Sequence, residues 1–277
     1  MLNRLLRKIR KIRRFPSLAF GPEDRRDLRL LGLVHERVLS PALAGRLTAA
    51  GGTSILPRLQ ATRGERVRVD LAHSGQIDCF IELFLDRIYE LEVVDFAPDL
   101  VADCGGFCGY FSTMAAGFFP AAKLACFEAN PDNLPMLRAQ LAALSRPVDL
   151  HAAAVFIRDG SITFSGAGVG GSVNSDPAAA DARAIPCVDF PRWLHTQAPR
   201  RLVWKLDVEG AEADLLPATL PHLPPSTVIF LETHYPDAIC ASLLDPYRAA
   251  GFSLREIRRR PSDTGRFDYV EWVLIRA

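Results

Sequence analysis

The chain has 277 residues, 49% of them hydrophobic, and a formal net charge of +1 at pH 7. That size and apolar content allow one α/β domain with a large core plus an extension, and the near-zero charge gives no global field for nucleic acid. No run reaches the roughly 18 apolar residues of a membrane span, and the basic start lacks the apolar region and cleavage site of a secretory signal, so a cytoplasmic location is expected.

Arg4, Arg7, Lys8, Arg10, Lys11, Arg13 and Arg14 put seven positive charges into the first fourteen residues, with Leu2, Leu5, Leu6, Ile9 and Ile12 near one helical face. Such a segment can lie on an anionic membrane surface; it can also be a solvated arm or dock on a partner subunit. Residues 22–50 read as helical, with Gly32 inside the pattern and Pro41 interrupting it, until Gly51-Gly52 breaks it. Arg66 to Leu71 alternates as a half-exposed strand would. Asp78 to Val94 reads as a helix with apolar points at Phe80, Ile81, Leu83, Phe84, Ile88 and Leu91. Residues 1–64 are taken as an extension and 65–277 as the main domain.

From Leu100 strands and helices alternate. Strands are expected over 99–103, 123–128, 147–151, 202–207 and 227–233, and helices over 109–119, 131–144 and 237–250. Two final strands, 252–259 and 267–276, read as an antiparallel pair. A hairpin-like region over 154–173 contains Asp159-Gly160 and the glycines Gly166, Gly168, Gly170 and Gly171. Asp176 to Ala184 is small and polar and reads as a loop. This alternation implies a doubly wound sheet with ligands at the carboxyl ends of its strands.

Asp103-Cys104-Gly105-Gly106-Phe107-Cys108-Gly109-Tyr110-Phe111 is a strand end, a glycine turn and a helix start. Gly105 and Gly109 would let the backbone approach a ligand closely, and the helix N-terminus offers N–H groups to an anion. The pattern D-x-G-x-x-x-G lacks the pyrophosphate fingerprint G-x-G-x-x-G. That favours S-adenosylmethionine, which has a carboxylate and a ribose but no phosphate, over a nicotinamide dinucleotide. The next strand ends in Glu128, on the order of 20 residues downstream, where an acid accepts hydrogen bonds from ribose hydroxyls.

Val203 to Glu212 is a second strand running into an acidic turn. Asp207, Glu209 and Glu212 crowd three carboxylates into six residues, which repel unless a cation, donor or substrate hydroxyl sits among them. Asp207 is read as an active-site residue, Glu209 as a candidate beside it, and Glu212 as helix N-terminal charge. Another strand closes with Glu232-Thr233-His234, so that either His234, oriented by Glu232, or Asp207 is placed to act as the general base. Asp207 and Glu232 could also offer oxygen ligands to a divalent metal, although the spacing requires none. Cys79, Cys104, Cys108, Cys126, Cys187 and Cys240 form no C-x-x-C pair and read as reduced core thiols.

These blocks, in this order, resemble the FkbM family of S-adenosylmethionine-dependent methyltransferases. The likeness runs from about Asp78 to Ala277 through Asp78-Cys79-Phe80-Ile81 with Tyr89-Glu90, Asp103 to Phe111, and Phe127-Glu128-Ala129-Asn130-Pro131 with Asn133. It continues through Ala154 with Asp159-Gly160, Gly171-Ser172-Val173 and Val188-Asp189-Phe190, then Lys205 to Glu212 and Glu232-Thr233-His234. The resemblance implies a class I methyltransferase fold, a seven-stranded, mostly parallel sheet with an antiparallel last strand. It implies methyl transfer to a hydroxyl oxygen of a sugar, glycolipid or natural product, with N-methylation or non-catalytic binding of the cofactor or a nucleotide as alternatives. The cofactor residues it marks are Asp103, Gly105, Gly106, Phe107, Gly109, Glu128, Ala129 and Asn133. Phe107 stands where the family commonly has Asn, and Ala129 where it commonly has Pro. The acceptor is expected to be a small molecule or glycan.

Overall fold

The computed structural model describes residues 2–48, 51–165, 172–173, 182–262, 265 and 267–277. The glycine cluster at 166–171 and most of the loop expected over 176–184 lie outside the described residues. The chain divides into two compact units, one of residues 1–89, 108–120 and 138–147, the other of 90–107, 121–137 and 148–277.

The first unit is mainly helical: α1 (Leu2–Arg14), α2 (Arg25–His35), α3 (Pro41–Leu47), a short ladder of β1 (Ser54–Ile55) with β2 (Val69–Asp70), α4 (Ser74–Phe80) and α5 (Tyr110–Phe118). Pro41 opens α3 rather than merely interrupting a helix. Its missing N–H costs nothing at the first position, and the Ser40 hydroxyl accepts from Leu43 N–H at 3.3 Å. Gly32 is required by packing, since a Cβ there would lie 2.8 Å from the Phe15 ring. The rings of Phe15, Phe80, Phe84 and Tyr110 form the core, with neighbouring centroids 4.9 to 6.3 Å apart. The helix expected over 78–94 is shorter. It leaves α-geometry at Phe80, makes one π turn over Ile81–Leu85, and stops where Arg87 turns left-handed (φ 56°). Phe80, Leu83, Phe84, Ile88 and Leu91 are all buried, so their spacing reports contact with a core rather than one continuous helix. Likewise only Val69–Asp70 of the expected 66–71 strand joins a ladder, while Arg66 makes an isolated bridge to Arg58.

The second unit contains β3 (Leu100–Cys104), β4 (Lys123–Phe127), β5 (Asp149–His151), β6 (Ala154–Phe156), β7 (Gly160–Ser165), β8 (Ser172–Val173), β9 (Arg183–Asp189), β10 (Arg201–Leu206), β11 (Ser226–Thr233), β12 (Ser253–Pro261) and β13 (Asp268–Arg276). The helices α7 (Phe190–Gln197), α8 (Glu212–Thr219) and α9 (Asp237–Ala249) are interspersed, and α6 (Leu134–Leu141), which follows β4, is divided between the two units after Leu137. Seven strands form one sheet in the order β12-β13-β11-β10-β3-β4-β5. β5, β4, β3, β10 and β11 run parallel, and β13 enters antiparallel between β11 and β12. This is the class I methyltransferase fold. From β3 the chain winds outward to β4 and β5 and then to β10 and β11 on the other side, so the strand order reverses between β3 and β10. A ligand crevice belongs at the carboxyl ends of those two strands.

A separate sheet has the order β6-β9-β7-β8; within the hairpin-like region expected over 154–173, β7 and β8 do pair antiparallel, while β6 and the start of β9 at Arg183 add strands beyond that expectation. Its central strand β9 starts at Arg183, and Pro186 within it disguises the strand in the sequence. Ile185 and Cys187 turn inward and Pro186 outward. Between the sheets and helices of this unit, Trp204 is fully buried, stacked on Phe190 at 5.1 Å, and Phe190 meets Phe127 edge-on at 5.8 Å. All six cysteines are free thiols. Among the described residues no helix is long and apolar enough to cross a membrane.

Candidate active site

Strand register brings the chemistry to one edge. Lys205 on β10 lies beside Asp103 on β3, Cys104 beside Phe127 on β4, and Leu206 beside Leu231 on β11. The residues just after these strands therefore converge. The turn after β3 is stitched between its neighbours: Gly105 and Gly106 N–H both donate to the Phe127 carbonyl, at 3.0 and 2.8 Å, and Asp207 N–H donates to the Cys104 carbonyl at 3.2 Å.

Gly105 has φ 89°, and a Cβ there would run into the Asp207 carbonyl oxygen. A Cβ on Gly106 would meet the Cys126 sulfur. The two glycines are thus demanded by the approach of neighbouring strands, a different reason from the ligand clearance expected at Gly105. Phe107 is left-handed too (φ 42°), a conformation that Asn adopts far more readily than Phe. What holds it is Glu128, whose Oε2 accepts from Phe107 N–H at 2.7 Å. Glu128 Oε1 accepts from Asn130 N–H at 2.8 Å and from Asn133 Nδ2 at 3.1 Å. Burial pushes the Glu128 carboxyl up from its ordinary value against these three donors, which favour the charged form.

Gly105, Phe107, Glu128, Ala129, Asn133, Asp207 and Glu209 line one open-sided cavity, with about 620 Å³ of free space counting its mouth. Its apolar wall includes Phe127, Ala153, Ala154, Val155 and Phe164. Asp103, Gly106, Glu232 and His234 are not among its lining residues. Gly109 belongs to the other unit, where it precedes α5 with φ 80°.

Asp103 is only 1% exposed and acts behind the cavity. The Lys205 ammonium stands 3.8 Å from its carboxylate, 3.3 Å from that of Asp207, and donates to the Gly105 carbonyl at 2.5 Å. One buried cation so ties both strand ends to the glycine turn. Burial would raise Asp207, but Lys205 and His234 outweigh it and hold its carboxyl below the ordinary value.

His234 sits among four carboxylates. Its Nδ1 is 3.0 Å from Glu212 Oε1, and its Nε2 is 3.4 Å from Glu209, 3.8 Å from Glu232 and 3.9 Å from Asp207. Burial alone would lower its pKa, but the charge and hydrogen bond of Glu212, with Glu209 and Glu232, lift it to about 10. The surrounding carboxylates thus favour the imidazolium over the neutral ring that a general base needs. Glu232 does not orient the ring as expected. It receives Arg260 at 2.7 Å, and burial with the Asp207 charge raises it to about 8. The orienting group is Glu212, whose fully buried carboxylate also accepts from Val208 N–H at 3.2 Å and Gly210 N–H at 3.0 Å. Reading it as helix N-terminal charge missed that reach backward. Burial lifts Glu209 to about 7, with His234 opposing and Asp207 adding to the shift.

Lys205 and Arg260 are members of this charge cluster that the sequence reading left without a role, and Glu212 is one that it read only as helix charge. A lysine inside the apolar run of β10 is the signal that pointed to the first, because a buried ammonium demands partners. Asp207, Glu232 and His234 also offer donor atoms within 4.8 Å of one another, a set able to hold a metal ion once His234 has lost its proton.

No protein-family model and no curated protein matches the sequence. Among solved structures, the chain is similar to precorrin-6y C5,15-methyltransferase from Geobacter metallireducens, at 17% identity and TM-score 0.41, over 68% of this chain and 85% of that one. It is similar to an O-methyltransferase from Bacillus cereus in complex with SAH, at 11% identity and TM-score 0.41, over 72% and 79%. It is also similar to the methyltransferase FkbM from Methylobacillus flagellatus, at 14% identity and TM-score 0.39, over 97% of this chain and 59% of that one. All three scores are low, and the fold class rests on strand order and direction.

Proposed function

We propose that this chain is an S-adenosylmethionine-dependent methyltransferase of the FkbM type that acts on a hydroxyl of a sugar, glycolipid or natural product. The observation that carries the reading is the continuity of two sites. The cavity at the ends of β3 and β4 is walled by Phe107, Glu128, Ala129 and Asn133, and it runs directly onto Asp207 and Glu209. The donor chemistry fits the cofactor. Glu128 spends one lone pair on Phe107 and two on the Asn130–Asn133 turn, which leaves acceptor capacity for ribose hydroxyls. The apolar wall suits an adenine face.

When bound, S-adenosylmethionine supplies an electrophilic methyl on a sulfonium. The chain's share is to fix the acceptor hydroxyl and take its proton. Glu209 is the group suited to that, because it lines the cavity and its pKa of about 7 matches a general base at neutral pH. Lys205 and His234 keep Asp207 ionised beside it, and Glu212 keeps the imidazolium in place.

Calorimetry with S-adenosylmethionine and its demethylated product tests binding. Heat with wild type and none with Glu128→Ala supports the site, and no heat with wild type ends the proposal. Turnover should rise with pH through an apparent pKa near 7 that belongs to the coupled cluster. Glu209→Gln should lose about 10²-fold or more, and undiminished turnover in that variant would move the proton to Asp207.

A further inference from the structure

We propose that α1 is a peripheral anchor that lies on an anionic lipid surface. The inference is independent of the methyl-transfer reading. An amphipathic helix of a globular protein turns its apolar stripe inward; in α1 Ile12 is half-buried, but Leu6 and Ile9 do the reverse. Leu6 is 46% exposed and Ile9 37% exposed, one turn apart on the same line of the helix. Several of its cations instead turn back onto the chain. Lys8 Nζ donates to the Glu36 carbonyl at 2.5 Å, Lys11 lies 3.5 Å from the Glu36 carboxylate, and Arg14 donates to the Leu85 carbonyl at 3.0 Å and lies 3.5 Å from Asp86.

Three further arginines, Arg7, Arg10 and Arg13, are exposed and make no ion pair with any described residue. The outward surface of α1 thus combines apolar side chains with excess positive charge. A second copy of the chain would cover the apolar part but set arginines against arginines. A nucleic acid would satisfy the charges and leave Leu6 and Ile9 in water. An anionic bilayer surface meets both demands, with the apolar side chains at the acyl boundary and the guanidinium groups at the headgroups. A second observation agrees. Of the eight large hydrophobic side chains that are exposed among the described residues, six belong to the first 47 residues: Leu6, Ile9, Phe20, Val38, Leu43 and Leu47.

The test is flotation of the full chain with vesicles of phosphatidylcholine alone and of phosphatidylcholine mixed with phosphatidylglycerol. The chain should float with the anionic vesicles only, and added salt should weaken but not abolish the binding. Leu6→Ser with Ile9→Ser should cut the partition coefficient by about tenfold or more. Replacing Arg7, Arg10 and Arg13 by Gln should cut it by about 10²-fold. Both variants alter exposed positions, and unchanged circular dichroism and melting temperature verify their folding. The proposal is overturned by any of three results: no flotation of wild type, equal flotation on neutral vesicles, or a Leu6/Ile9 variant that binds like wild type. It is also overturned by a wild-type dimer in sedimentation that the Leu6/Ile9 variant abolishes, because that would make a second copy the occupant.

Discussion

Glu128 and Asp207 stand at the ends of neighbouring parts of one sheet, and both line the same cavity, yet they are held in opposite ways. Glu128 is surrounded by neutral donors, two backbone N–H groups and an amide, and burial carries its pKa upward. Asp207 is surrounded by cations, and Lys205 and His234 carry its pKa downward. A carboxylate fixed by dipoles keeps room for further hydroxyl donors. A carboxylate fixed by an ammonium stays charged. Under the proposed function, the first suits holding a ribose and the second suits sustaining a field beside a reacting group, and binding would then be divided from chemistry through the partners of these acids.

The largest expected effect removes the cation from one side of that comparison. Lys205→Met leaves the buried Asp103 and the Asp207 carboxylate facing each other across the glycine turn. Breaking a buried charge cluster by deleting one partner costs about 3–5 kcal/mol, read as a loss of that size in urea unfolding. Asp207 should then titrate upward. A loss below about 1 kcal/mol, the range of exposed pairs, would mean that Lys205 is solvated in solution and that the cationic half of the comparison is wrong.

The matching change on the other side is smaller. Glu128→Ala strands the N–H groups of Phe107 and Asn130 and the Asn133 amide, at about 1–3 kcal/mol. Under the proposed function it should also lower S-adenosylmethionine affinity by about tenfold or more. Glu128→Gln restores one acceptor and should recover part of the stability but little of the affinity. Recovery of both together would show that Glu128 shapes the loop without touching ligand.

Much of this was legible in the chain. The alternation after Leu100 specifies the parallel sheet because each buried strand is a short apolar run closed by an acid or a glycine. Asp103, Glu128 and Asp207 announce themselves by ending such runs. What could not be read is which neighbour each acid takes. Glu212 looks like the first charge of a helix, and only the turn over Val208–Gly210 shows its carboxylate folding back to His234. Arg260 reaches Glu232 because β12 carries a register shift between Glu256 and Arg258, which no local pattern encodes. β9 escaped because Pro186 argues against a strand, while its side-chain alternation is too short to outweigh that.

The charge cluster also makes a pH prediction with a definite sign. His234 is raised from 6.5 to about 10, so the stability it contributes is present in full below 6.5 and is lost as pH climbs toward 10. Glu232 is raised from 4.5 to about 8, so the unfolded chain ionises first and stability falls over that window as well. Both act in the same direction. The melting temperature should therefore drop steadily between pH 7 and pH 10, and His234→Gln should flatten the upper part of that slope. A wild-type melting temperature that is flat or rising over this range would mean that the imidazolium is not stabilised by its carboxylates.

The smallest effect concerns Phe107, which the dipole-held side of the cavity keeps in a left-handed conformation (φ 42°). Such a backbone costs a residue with a Cβ about 1–2 kcal/mol, less for Asn, whose side chain bonds locally, and more for a β-branched residue. Phe107→Asn should match or exceed wild type in melting temperature, and Phe107→Val should fall below it, with about 1 kcal/mol or more between the two. Both substitutions remove the aromatic ring, so the difference between them isolates the backbone. Equal stability of the two variants would mean that the Glu128 hydrogen bond to Phe107 N–H does not force this geometry. Phe107 and Glu209, the other left-handed non-glycine residue of the cavity (φ 53°), place backbone cost at what the proposed function makes the binding end and the chemical end of one pocket. Evolution tolerates such cost where position matters more than stability.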